Sequence, residues 1–87
     1  MDYDLLAKDH VFHRICGLSD DEQDLIFAWM DALKVNPFTS GDYVDATTYA
    51  GPNEVKLLGR FAAVYYVDHA VKEIKVLDLV FADEIES

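Results

Sequence analysis

The segment NPFTSGDY, residues 36–43, and the three apolar runs that follow it decide how this chain folds. The runs are YVDATTYA (residues 43–50), EVKLLGRFAAVYYVD (54–68) and KEIKVLDL (72–79), with short turns between them. Before Asn36 the apolar residues recur at helical spacing; after it the apolar residues are mostly β-branched or aromatic. Pro37 disfavours helical geometry at Asn36 and so marks the boundary. Consecutive strands joined by links this short must pair antiparallel, since parallel pairing needs a long crossover. The expected fold class is α+β: an N-terminal helical hairpin packed on one face of a small antiparallel β-sheet.

Upstream of the boundary, residues 2–6 are compatible with an edge strand. Val11, Phe12, Ile15 and Cys16 then recur at helical spacing, and Gly17 supplies the end of a first helix. Ser19-Asp20-Asp21-Glu22 fits a capping box, with acidic side chains at the positive end of the helix dipole. Leu25, Trp29 and Leu33 lie four apart with Ile26 and Met30 beside them, which gives a broad buried stripe ending near Val35. Downstream, residues 43–49 read as a strand and Gly51-Pro52-Asn53 as a turn. Gly59 marks either a bulge in one long strand or a tight turn between two. Residues 68–70 turn the chain into a last strand over 73–79.

Phe61, Ala63, Tyr65 and Val67 alternate with Ala62, Val64 and Tyr66, so both faces of this strand are apolar and it is central in the sheet. A helical hairpin covers only one side. The other side must be covered by the tail, a partner or a second copy, and the expected binding surface there includes Tyr65 or Tyr66.

At 87 residues, 52% of them apolar and 13% aromatic, the chain reads as a single domain over residues 1–87 that builds its core without disulfide or metal. Cys16 is the sole cysteine, which excludes an internal disulfide and fits a reducing cytoplasm. The acidic start, Met1-Asp2-Tyr3-Asp4, lacks the basic character of an export signal, and no apolar run reaches membrane-spanning length. The net charge is -10, shared evenly: residues 1–36 hold three basic and eight acidic side chains, and 37–87 hold four and nine. Such a field disfavours direct nucleic-acid binding and favours a basic partner.

The ordered combination of helix hairpin, Asn36-Pro37-Phe38, Gly41-Asp42 and β-meander resembles the RelE/ParE superfamily of type II toxin–antitoxin toxins, the plasmid stabilisation proteins, over nearly the whole chain. The resemblance implies a toxin-like component neutralised by a cognate antitoxin, with the ribosome or DNA gyrase as target. RelE-type members cleave messenger RNA with basic residues on the sheet and basic and aromatic residues near the C-terminus. Lys56 matches one of those basic positions, whereas Glu54 stands where a second lysine is expected and Ala62 where an arginine is expected. After Leu79 the tail has no Arg, Lys or Tyr. Phosphate cleavage needs positive groups aimed at developing charge, and Lys56, Arg60 and His69 are the catalytic candidates this chain offers. Two other readings compete: an acidic, non-catalytic protein-interaction module on the same scaffold, and a ribosome-dependent endoribonuclease with a relocated basic set.

The partner-binding candidates are Lys56, Arg60, Tyr65, Tyr66 and Lys75. Lys56 and Arg60 have a simpler reading as solvated charges balancing Glu54 and its neighbours. His69 beside Asp68 is either a proton-transfer group or a polar turn residue. His10 and His13, with Asp9 near, form a pair without further metal ligands, so neither metal nor cofactor is expected. Cys16 and Trp29 read as core residues, and one of Tyr65 and Tyr66 as exposed.

Overall fold

Strand β1 (Asp4–Ala7) leads into helices α1 (Asp9–Cys16) and α2 (Asp20–Val35), followed by strands β2 (Tyr43–Asp45), β3 (Asn53–Leu58), β4 (Phe61–Asp68) and β5 (Glu73–Phe81). This architecture is that of a computed structural model describing residues 3–39, 41–45 and 53–82. Met1, Asp2, Ser40, the rest of the first β-run (46–50), the Gly51-Pro52 pair and the acidic tail from Asp83 lie outside the described residues.

The strands form one sheet in the order β1-β5-β4-β3-β2. The meander from β2 to β5 is antiparallel throughout, as the short links require. The edge strand departs from the expected antiparallel sheet: β1 runs parallel to β5, with Asp4 opposite Glu73 and Ala7 opposite Val76. Both helices and strands β2 to β4 separate these two strands in sequence, and that length of chain permits parallel pairing. The sheet is therefore mixed, with one parallel edge on an antiparallel body.

Gly59 and Arg60 form a tight turn between β3 and β4, with Gly59 at φ +61°, where a side chain would be strained. The irregularity in pairing falls further along, between Val64 and Tyr65 against β5. Asn53 begins β3 rather than sitting in a turn, and β5 runs two residues past Leu79.

The capping box of α2 forms as its sequence specifies: the Glu22 N–H donates to the Ser19 hydroxyl, and the Ser19 N–H to the Glu22 carboxylate. Ile26, Met30 and Leu33 are the buried face of α2, and Val11 and Ile15 that of α1. They pack on Leu58, Phe61, Ala63, Tyr65, Ile74, Val76 and Leu79. Full burial of each aliphatic side chain here contributes roughly 1.5–3 kcal/mol. The stripe is narrower than expected. Leu25 is 45% exposed and Trp29 only half-buried, because they lie on the flank of the helix away from the Ile26–Met30 centre. Phe12 and Cys16, each one position past a buried residue of α1, are likewise exposed, which corrects the core reading of Cys16.

On the opposite face, Val55, Ala62 and Val64 are 0–1% exposed, with Leu77, Val80 and Ala82 packed against them. The centre of the second face is therefore buried, Leu57 on the same face is 41% exposed, and Tyr65, one of the two tyrosines expected there, packs in the core on the helix side instead.

Candidate partner-binding site

Gly41 governs the loop that leads into β2. A Cβ at this position would lie 2.7 Å from the Val55 carbonyl oxygen, so only glycine lets the loop run this close to β3. Two contacts fix the approach: the Asp42 N–H donates to the Val55 carbonyl at 2.7 Å, and the Gly41 N–H donates to Glu54 Oε1 at 2.8 Å. Asp42 in turn accepts from the Leu57 N–H at 2.7 Å and sits 3.7 Å from Lys56 Nζ. Among the described residues the carboxylate paired with Lys56 is thus Asp42, while Glu54 accepts from the loop backbone through Oε1 alone.

Lys56 stands opposite Ala63, and Leu57 opposite Ala62. Side chains alternate along a strand, so Lys56 points to the helix face and position 62 to the other. The two positions that the family resemblance assigns to one nuclease site therefore lie on opposite sides of the sheet. Lys56 lines a pocket of about 120 Å³ with Trp29, Ala32, Leu33, Thr39 and Tyr65.

Tyr65 is the buried tyrosine of the pair, 1% exposed, with its ring edge-on to Trp29 at 5.2 Å. Burial pushes its phenol up to about 12, and the charges of Glu54 and Asp42 add to the effect. It is closed to a partner at the surface. Tyr66 is half-buried on the other face of β4, with Lys75 Nζ 5.8 Å from its ring centre. A hydrogen bond to Tyr66, followed by the charges of Glu73 and Asp68, holds the Lys75 ammonium above its ordinary range.

Arg60 is committed to structure. Its Nε donates to Glu22 Oε2 at 2.6 Å and its Nη2 to Glu22 Oε1 at 3.1 Å, and its guanidinium lies over the Phe61 and Phe81 rings at 5.0 and 5.6 Å. The Arg60 hydrogen bond is the main cause holding the Glu22 carboxyl below its usual range.

His69 sits at the far end of β4 from Arg60, roughly 25 Å away along eight strand residues. Its Nδ1 is 2.8 Å from the Tyr3 hydroxyl, and its ring stacks on Phe38 at 4.7 Å and 6°. Asp68, its neighbour in sequence, accepts the Ala70 N–H at 3.1 Å. The sequence reading missed Tyr3 and Phe38 as partners of His69, because no local spacing connects residues so far apart in the chain.

Lys56, Arg60 and His69 do not converge on one reacting atom. Lys56 lies beside the C-terminal half of α2, Arg60 is tied to its first turn, and His69 stands beyond the end of β4. Of the histidine pair, His10 meets Asp78 at 3.2 Å while His13 is exposed. Among the described residues no group of three His, Cys, Asp or Glu could hold a metal ion, and no helix is long and apolar enough to cross a membrane.

With this geometry in hand, similarity to solved structures is close in shape and distant in sequence. A chain of the archaeal RelE–RelB complex from Pyrococcus horikoshii OT3 superposes with a TM-score of 0.76 at 21% identity, over 93% of this chain and 96% of that one. A chain of the toxin–antitoxin complex RelBE2 from Mycobacterium tuberculosis gives 0.69 at 10% identity, over 93% and 99%. No protein-family model matches the sequence, and no curated protein matches it. The chain has the α+β fold of the chains solved in these two complexes.

Proposed function

We propose that the chain is the toxin-like component of a type II toxin–antitoxin, or plasmid stabilisation, pair, acting in the cytoplasm as a single domain and held inactive by a cognate antitoxin. The observation that carries this reading is the end-to-end match of its fold to chains solved within a RelE–RelB and a RelBE2 complex. The proposed partner-contacting residues are Lys56, Tyr66 and Lys75, the three of the expected set that keep partly exposed side chains without a bidentate clamp. Arg60 and Tyr65 serve mainly to hold the fold.

Ribonuclease chemistry is not part of the proposal. In-line phosphate cleavage needs cations preorganised around one phosphate, and the three candidates here are spread along the sheet against a net charge of -10. Induced expression tests both halves of the reading. Growth arrest is expected, relieved when the cognate antitoxin is co-expressed, with no new messenger cleavage sites by primer extension on translating ribosomes. Amino-acid incorporation and plasmid supercoiling then separate the ribosome from gyrase as target. Absence of both growth arrest and antitoxin binding removes the toxin reading. Cleavage that disappears in a Lys56→Ala, Arg60→Ala double variant restores the ribonuclease reading.

A second reading is favoured by the charge distribution: an acidic interaction module that holds a basic protein. Pull-down at low and moderate salt discriminates it, because charge-driven association weakens steeply as salt rises.

A further inference from the structure

Where β3 begins and β4 ends, a cavity of about 220 Å³ opens between the sheet and the loop after α2, lined by Phe38, Thr39, Glu54, Tyr66, Val67 and His69. We propose that this cavity is a guanidinium site, which receives an arginine side chain presented by a partner polypeptide. The inference rests on the protein-binding reading above and adds the side chain the partner supplies.

Three features select that chemistry. The first is an unneutralised carboxylate. Glu54 is half-buried, its Oε1 is oriented by the Gly41 N–H at 2.8 Å, and among the described residues it meets no lysine or arginine, since Lys56 turns to Asp42. A carboxylate fixed in direction but lacking a cation is set up to accept N–H donors. The second is a flat aromatic wall. Phe38 is 74% exposed, yet its ring is held parallel to His69 at 4.7 Å. The Tyr3 hydroxyl anchors His69 at 2.8 Å, and the Tyr3 ring stands edge-on to both. An exposed ring immobilised in this way offers a face on which a planar cation stacks. The third is size and sign. At ~30 Å³ per water the cavity holds roughly seven waters, room for a guanidinium and part of its stem. A chain at net charge -10 draws cations and turns away phosphate.

Arginine fits better than lysine because its plane can stack on Phe38 while its edge donates to Glu54; an ammonium offers no plane. An apolar side chain would desolvate Glu54 without replacing its lost water hydrogen bonds.

The probe is N-acetyl-arginine amide, titrated into the full chain and followed by amide NMR shifts at Thr39, Val67 and His69, with N-acetyl-citrulline amide as the neutral isostere. Saturable, millimolar binding is expected for the arginine probe alone. Glu54→Gln should weaken it roughly fivefold, and Phe38→Ala, a surface change that leaves the fold intact, roughly threefold. Arg14→Ala, on α1 beside Phe81 and away from the cavity, should leave it unchanged. Equal binding of the citrulline probe, or full affinity in a well-dispersed Glu54→Gln variant, overturns the site. Because no antitoxin enters the titration, its failure leaves the toxin reading standing, and failure of the growth assay leaves the pocket standing.

Discussion

Tyr65 carries the most informative single hydroxyl in the molecule. It is 1% exposed, and among the described residues nothing accepts its hydrogen bond, so the group is kept neutral by burial first and by the charges of Glu54 and Asp42 second. Its ionisation is raised from 10.0 to about 12 in the folded protein. The linkage has a definite sign. The folded state binds this proton more tightly, so the associated stability is complete below pH 10 and is lost as pH climbs towards 12. Urea denaturation should show the wild type losing about 2–3 kcal/mol relative to Tyr65→Phe across that window. Below it, Tyr65→Phe should be as stable as the wild type or more so, because the hydroxyl it removes has no acceptor among the described residues. Parallel pH dependence of the two proteins would mean that Tyr65 is solvated.

Helix α2 shows how two levels of sequence information join in one element. Glu22 closes the capping box with Ser19 and also clamps Arg60 from the β3–β4 turn, so one carboxylate ties the helix start to the sheet. Ser19→Ala should cost about 1 kcal/mol in urea denaturation. The Glu22 carboxyl is lowered chiefly by Arg60, so its contribution is present above the ordinary carboxylate range and is lost as pH falls through the lowered value. The stability gap between wild type and Glu22→Gln should therefore shrink on acidification. The cap was legible because its residues are adjacent; the Arg60 clamp was not, because 38 positions separate its partners. Periodicity likewise located the helix without centring its stripe. Ile26→Ala should cost about 2–5 kcal/mol, and Leu25→Ala, at 45% exposure, far less. The meander was readable from Gly59 and the β-rich runs, whereas the parallel edge depended on β1 reaching β5 across most of the chain. Proximity in space also governed the candidate site. Lys56 and His69 could be named from the sequence, but the Tyr3–His69–Phe38 cluster and the opposite-face placement of positions 56 and 62 are consequences of tertiary packing and register.

At the scale of the whole molecule, charge and fold bear on function together. A small chain at net charge -10 repels itself, so its thermal midpoint should rise as monovalent salt is added from low ionic strength; a flat or falling response would show that attractive pairs dominate. The same field opposes the approach of a polyanion, while the backbone follows that of chains solved in toxin–antitoxin complexes. A scaffold of that shape with its cations dispersed is suited to holding a polypeptide. The most direct test of that central claim is native mass spectrometry of the chain co-expressed with its proposed cognate antitoxin. The account predicts a stable hetero-complex that survives moderate salt. Recovery of the chain and the antitoxin only as separate species, at both low and moderate salt, would contradict it.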